Sequence, residues 1–143
     1  MRARKRQTGF GLVEVLVALL IISIGLLGIA SLQVLALRNT GSSMERSQAV
    51  IQTYSYLDVL RANYDDAVIG NLDVPVLACK PTNVGSDQIE ERKWLTQLQE
   101  AMGPESCAMA KCDKDKCTIT IQWDDSRAEG GSTTQQLVTE TVL

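Results

Sequence analysis

The sequence of 143 residues contains no histidine, so it lacks the side chain that most often serves as a general base or a metal ligand. It also lacks the GxSxG, HExxH, P-loop and GxGxxG patterns of common catalytic and nucleotide-binding sites. The acidic pairs in residues 113–115 and 124–125 do not have the ligand spacing and glycine of a calcium loop. The sequence therefore predicts no enzyme, no cofactor, no metal site and no small-molecule substrate.

Cysteine is scarce, and its spacing does not match the CxxC pattern of a zinc site. Two disulfides are expected if the domain is exported to an oxidising compartment; one disulfide with two free thiols, or a metal site, are the alternatives. Because a short polar turn separates the third and fourth cysteines, we favour Cys112–Cys117 with Cys79–Cys107. The preference over Cys79–Cys117 or Cys79–Cys112 is slight, since four cysteines can pair in three ways.

Charge is absent from residues 15–37, which are apolar except for Ser23, Ser31 and Gln33. About 20 such residues suffice for a helix that spans a bilayer. An isolated run inside lipid must be helical, because its backbone can satisfy its hydrogen bonds in no other way. The positive-inside rule places the N-terminus in the cytoplasm, because four basic residues precede the run: Arg2, Arg4, Lys5 and Arg6.

A cleaved secretory signal has a similar beginning, but no small-residue cleavage site closes this apolar run. A permanent anchor that is not processed is the stronger alternative. Glu14 is the one acid near the start of the run. A carboxylate in such a segment is costly unless it is paired or reaches the membrane surface.

Residues 9–20, with the sequence GFGLVEVLVALL, resemble the leader junction of type IV prepilins and pseudopilins. The resemblance implies cleavage after Gly9 and methylation of Phe10 by a prepilin peptidase and methyltransferase. It also implies that Glu14 faces the Phe10 amine of a neighbouring subunit during assembly. Gly11 departs from the family, since many members have Ser or Thr there. The implied partners are the processing enzyme, other minor and major pilins, and the inner membrane.

Further stretches resemble one minor pilin of this family; they are residues 24–33, 46–49, 60–63 and 117–124. This similarity implies a minor pilin that acts in pilus assembly or initiation and in tip adhesion. The chain would first span the inner membrane once, with its C-terminal domain in the periplasm, and then reach the pilus at the cell surface. The alternatives are an I-type pseudopilin of a type II secretion system and a membrane-anchored periplasmic binding domain.

The leader also distorts the charge balance. It holds four of the 14 basic residues and none of the 17 acids, so the chain beginning at Phe10 has ten basic and 17 acidic residues and a formal net charge of −7. An acidic overall field argues against direct binding of nucleic acid or anionic lipid. Nucleic acid is therefore not an expected partner.

The order of elements predicts an α+β fold, in which a long N-terminal helix packs on a small C-terminal antiparallel sheet. We expect a leader over residues 1–9, a transmembrane and assembly helix over 10–37, and a periplasmic domain over 38–143. Within the domain we predict a continuation of the helix to about residue 63, a variable loop over 65–86, a short helix from 87 to 102, and strands over 107–111, 117–123 and 133–142.

Apolar periodicity predicts which faces of these elements are buried. Cys117, Ile119, Ile121 and Trp123 alternate with polar residues, as in a half-buried strand. The short helix is expected to begin at Asp87 with Glu90 completing a capping box, and to bury Trp94, Leu95, Leu98 and Met102. In the first helix we expect one buried face formed by Met44, Ile51, Tyr54, Leu57, Leu60 and Tyr64.

Overall fold

The computed structural model describes Gly9 and residues 11–143, and it divides between Leu37 and Arg38 into two compact units. The first helix, α1, covers Leu12–Ala62 and so contributes residues to both units. In the first unit every described residue is exposed. This segment is long and apolar enough to cross a membrane, as the sequence predicts.

The two serine hydroxyls of the apolar segment are satisfied within the helix. The Ser23 hydroxyl donates to the Leu19 carbonyl at 2.7 Å, and the Ser31 hydroxyl donates to the Leu27 carbonyl at 3.0 Å. Such bonds to the preceding turn leave neither hydroxyl in need of water. They suit a helix whose surroundings are apolar.

The second unit is a four-stranded antiparallel sheet covered by helices. The strands lie in the order β1-β2-β3-β4, and each pairs with its neighbour in sequence. The predicted α+β class is therefore confirmed. After α1, the elements are α2 (Tyr64–Val68), β1 (Val74–Ala78), a 3₁₀ turn (Pro81–Asn83), α3 (Ile89–Met102), β2 (Cys107–Asp113), β3 (Lys116–Trp123) and β4 (Gln135–Val142).

The core of this unit is built where α1 and α3 face the sheet. The rings of Tyr56 and Trp94 stack with centroids 4.0 Å apart and planes 12° from parallel. The Trp94 indole N–H donates to the Gln52 carbonyl at 3.1 Å, and the Tyr56 hydroxyl donates to the Leu72 carbonyl at 2.6 Å. Each aromatic ring thus contributes apolar contact while its polar atom is paired. The buried cluster around these rings includes Leu57, Leu60, Leu95, Leu98, Ile119 and Ile121.

The predicted buried face of α1 is wrong for four of its six residues. Met44, Ile51, Tyr54 and Tyr64 are exposed, and only Leu57 and Leu60 are buried. Small, polar and aromatic side chains take the remaining buried positions, and the short ones let neighbouring elements approach. The Thr53 hydroxyl donates to the Ala49 carbonyl at 2.8 Å. The buried residues are Ala49, Gln52, Thr53, Tyr56, Leu57 and Leu60.

The prediction of a continuous loop over residues 65–86 is also wrong, since this stretch contains most of α2 and all of β1. Strand β1 contains Pro75 and its register against β2 shifts between Val74 and Ala78. Proline is tolerated in a strand at a sheet edge, where its missing N–H removes no bond from the ladder. A short, irregular edge strand leaves little periodic signal in the sequence.

Helix α3 begins without the predicted capping box. It starts at Ile89, and the flanking Gln88 makes no side-chain cap. Instead the Gln88 amide donates to the Asp73 carbonyl at 2.9 Å, so this residue ties the helix start to the segment before β1. The helix ends as predicted at Gly103, whose positive φ of 98° suits glycine and whose N–H donates to the Gln99 carbonyl at 2.9 Å.

Two disulfides close the domain. Cys79 bonds to Cys107 and Cys112 bonds to Cys117, with Cα–Cα distances of 4.1 Å in both pairs. This is the pairing that the sequence slightly favours. The hairpin is tighter than predicted, since β2 extends to Asp113 and only Lys114 and Asp115 remain in the turn. Cys112 and Cys117 are consequently direct cross-strand partners.

We expect the two disulfides to contribute unequally to stability. Replacing Cys79 and Cys107 by Ala should lower the free energy of unfolding by about 3.5 kcal/mol, because this bridge closes a long loop. The same change at Cys112 and Cys117 should cost about 2 kcal/mol. The sequence separations are 28 and 5. Denaturant unfolding of the full chain in detergent, followed by tryptophan fluorescence, measures both losses; equal losses, or free thiols in the wild type, would contradict this expectation.

Glu91 should make the domain less stable as the pH rises. Its side chain is buried in α3 with 1% exposure, and one carboxyl oxygen has no hydrogen-bond partner among the described residues. Burial is the main cause that raises the pKa of Glu91, and the neighbouring Glu90 and Asp87 carboxylates act in the same direction. The folded state therefore holds this proton to a higher pH than the unfolded state does, and stability falls as pH rises through the folded-state pKa.

Glu91→Gln is accordingly expected to raise the free energy of unfolding near neutral pH. The gain should vanish below the ordinary carboxyl pKa of about 4, where Glu91 is protonated in both states. Unfolding curves at several pH values measure this difference, and Glu100→Gln at an exposed position of the same helix is the control. A gain that does not depend on pH would show that the charge of Glu91 is not its cause.

Candidate processing site and membrane anchor

The predicted cleavage site lies immediately before the start of α1. Gly9 is exposed, and no atom of the described residues beyond its chain neighbours lies within 4 Å of a Cβ placed on it. Phe10, the predicted site of methylation, lies outside the described residues. The Gly11 carbonyl accepts the first bonds of the helix, from the Glu14 N–H at 3.0 Å and the Val15 N–H at 3.3 Å. The backbone at Gly9 is thus outside the helical hydrogen-bond ladder, as a peptidase substrate requires.

Glu14 occupies the first turn of α1. The free N–H groups of a helix start carry a partial positive charge, so acidic residues are common in the first turn. The Glu14 side chain is exposed. The ion pairs found in the described part of the chain are Asp58–Arg61, Glu90–Lys93 and Glu45–Arg127. The pairing of Glu14 with the amine of a neighbouring subunit stays a prediction.

The loop between β3 and β4 is fixed to the domain part of α1 by polar contacts. Asp125 is 3% exposed, accepts a bond from the Ser42 hydroxyl at 2.7 Å and donates its N–H to the Ser132 carbonyl at 2.9 Å. Any Cβ at position 131 would overlap the Asp125 carbonyl, so Gly131 allows the loop to close this tightly. The contacts hold the loop against the helix just beyond the apolar segment.

The same contact region perturbs one acid of α1. Burial, followed by the charge of Asp125, raises the pKa of Glu45, and the Arg127 guanidinium opposes this rise. The Arg127 Nη2 atom lies 4.0 Å from the Glu45 Oε1 atom, and the Arg127 side chain is largely exposed. This ion pair therefore adds little stability. This cluster leaves no signal in the sequence, because residues 42–45 and 124–127 come together only through the tertiary fold.

The structure gives the site residues predicted from sequence three different placements. It joins the four cysteines in two pairs. It places Gly9 and Glu14 on either side of the helix start, and Phe10 is not described. No group of acidic or cysteine residues in the described chain could hold a metal ion. The arrangement offers an exposed Gly9 before the helix, an apolar helix and a disulfide-bonded domain.

A comparison with known families finds a match at the beginning of the chain. A family model of the prokaryotic N-terminal methylation motif matches residues 4–30. No curated protein and no solved structure matches the chain. The motif supports a type IV pilin-like or pseudopilin-like protein and implies processing by a prepilin peptidase and assembly with other pilins. Together with the apolar helix, it fits a protein anchored in a membrane by a single span.

Blocking the space at the scissile bond should prevent processing. We expect Gly9→Val to accumulate as the uncut precursor, because a branched side chain fills the space beside the bond that the peptidase must reach. Intact-mass analysis of the protein from its native membrane reads the outcome directly. The matched control is Gly11→Ala, at an equally open position, which should still be cut. A wild-type mature chain that begins at Met1 would show that no cut occurs. One that begins near residue 34 would show cleavage near the end of the apolar run, as in a secretory signal. Either result would contradict the predicted site.

Proposed function

We propose that this protein is a minor pilin of a type IV pilus, similar to PilV, that acts in pilus assembly or initiation and in adhesion at the tip. The observation that carries the proposal is the methylation motif over residues 4–30, which extends into a helix whose described side chains are exposed as far as Leu37. An apolar surface of this size is costly in water. It requires lipid before assembly and the helices of other subunits afterwards.

The proposed path begins with the N-terminus in the cytoplasm and the domain of residues 38–143 in the periplasm. The four basic residues of the leader favour this orientation. The two disulfides agree with it, because disulfides persist in an oxidising compartment. Prepilin peptidase then removes residues 1–9 and methylates Phe10, which leaves a cationic amine at the new N-terminus.

Glu14 is proposed to select the depth at which the subunit enters the filament. After cleavage, the carboxylate and the amine of the same chain are both costly in an apolar environment. If the Glu14 carboxylate of one subunit meets the Phe10 amine of its neighbour, each charge removes the cost of the other. A charge pair of this kind specifies register as well as contact.

The resemblance to PilV rests on residues 24–33, 46–49, 60–63 and 117–124. The alternatives are an I-type pseudopilin of a type II secretion system, whose leader has the same properties, and a membrane-anchored periplasmic binding domain that does not assemble. A deletion strain separates the minor pilin from the pseudopilin, since loss of twitching favours the pilus and loss of protein secretion favours the pseudopilin. Recovery of the protein in sheared filaments argues against the anchored binding domain.

Replacing Glu14 with Val should separate insertion from assembly. The substitution removes a charge from an apolar segment, so the amount of protein in the membrane should be unchanged or higher. Recruitment into pili should fall more than about tenfold, because breaking a buried ion pair typically costs about 3–5 kcal/mol. Quantitative immunoblots of sheared pili and of membranes measure both amounts.

Glu14→Asp is the matched control, since it keeps the charge and should retain part of the recruitment. Normal recruitment of the Val variant would refute the pairing role. Glu14 would then be a carboxylate that reaches the membrane surface without a partner.

A further inference from the structure

The two edges of the sheet differ in how well they are protected against pairing. Strand β1 has five residues, includes Pro75 and changes register against β2, and each of these features hinders the addition of another strand. Strand β4 has eight residues, contains no proline and keeps one continuous register against β3 from Gln135 to Val142. The β4 edge has none of the irregularities that protect the β1 edge.

The register of the sheet determines which backbone groups β4 presents. The β2–β3 hairpin closes on the pair Asp113–Lys116, so the next pair, Cys112–Cys117, is of the non-hydrogen-bonded type and Cys117 directs its backbone groups towards β4. The Leu143 N–H donates to the Asp115 carbonyl at 2.9 Å, which continues this alternation. The outward groups of β4 therefore belong to Gln136, Val138, Glu140 and Val142.

These outward groups are free to receive a strand. In the described chain, one hydrogen bond reaches these groups, and in it the Thr141 hydroxyl donates to the Val142 carbonyl at 3.3 Å. The side chains of the same four residues lie on the sheet face that points away from the core and are exposed. Val138 and Val142 expose 55% and 54% of their surfaces, so a partner would find both backbone donors and apolar contact here.

Charge indicates what kind of strand fits this edge. Glu140 is the one charged residue of β4, and the domain of residues 38–143 has ten basic and sixteen acidic residues. A second copy of β4 offers no base to pair with Glu140 in any register. Beside Glu140 and Val142, an open groove of about 590 Å³ also includes Met109, Lys111 and Thr118 among its lining residues. This groove has room for a long side chain of an added strand.

We propose that the free edge of β4 binds an extended segment of another protein, which extends the sheet as a fifth strand. That segment has a Lys or Arg next to Glu140 and β-branched apolar residues next to Val138 and Val142. Backbone bonds supply affinity in strand addition, and the alternate side chains supply specificity. The proposed function does not use this surface.

The test uses the full chain in detergent micelles and a synthetic peptide of eight residues with alternating Val and Thr and one central Lys. Amide hydrogen exchange should show new protection at Gln136, Val138, Glu140 and Val142 when the peptide binds. A peptide with Glu in place of Lys should bind roughly fivefold more weakly, as expected for an unfavourable cross-strand charge. In Glu140→Lys the order of the two peptides should invert. A peptide N-methylated at the alternate residues whose N–H groups face β4 should not bind.

Val138→Pro is the matching change in the protein. The Val138 N–H points away from β3, so proline there removes no bond between β3 and β4, and binding should be lost while the circular dichroism spectrum is kept. The charge inversion at the exposed Glu140 tests the proposal independently if the proline variant fails to fold. Equal binding of both peptides, or protection confined to β1, would overturn the proposal. Self-association that Val138→Pro abolishes would instead identify a second copy as the occupant and overturn it too.

Discussion

One helix has to satisfy two environments, and the rest of the structure depends on how it does so. Up to Leu37 every described side chain of α1 is exposed, and the segment contains no charge after Glu14. From Ala49 onward the same helix buries one face under α3 and the sheet. The change is achieved by composition alone. Large aliphatic residues surround the first part, whereas the buried face of the second part combines small, polar and aromatic residues.

The domain core is small and is interrupted by polar atoms. Gln52, Glu91, Ser106 and Trp123 each bury one side-chain atom without a hydrogen-bond partner in the described chain, and each such atom costs free energy. The stacked Tyr56 and Trp94 rings and the two disulfides act against these costs. A fold with so thin a core is expected to rely on covalent links, and the irregular segment before α3 is held by Cys79.

Much of this fold could be predicted from the sequence, and the failures have physical causes. The strand with Ile119 and Ile121 was predictable because apolar and polar residues alternate strictly in its sequence. The end of α3 was predictable because glycine occupies a positive-φ position. The buried face of α1 was not predictable, since hydrophobicity does not reveal that Ala49 and Thr53 allow close packing. Strand β1 was missed because it is short and contains proline. For the candidate site, the leader and the apolar helix could be identified from local sequence, but the contact of Ser42 with Asp125 could not, because it joins residues 83 apart.

The hairpin disulfide has a consequence beyond stability. Side chains and backbone groups in a sheet alternate with a period of two, so a slip of one residue between β2 and β3 would exchange the inner and outer faces of every following strand. The covalent bond between Cys112 and Cys117 forbids that slip, because the two residues must stay opposite each other. Through β3 it also fixes the alternation of β4. Oxidation of one cysteine pair thereby determines which amides the distant edge of the sheet presents to the solvent.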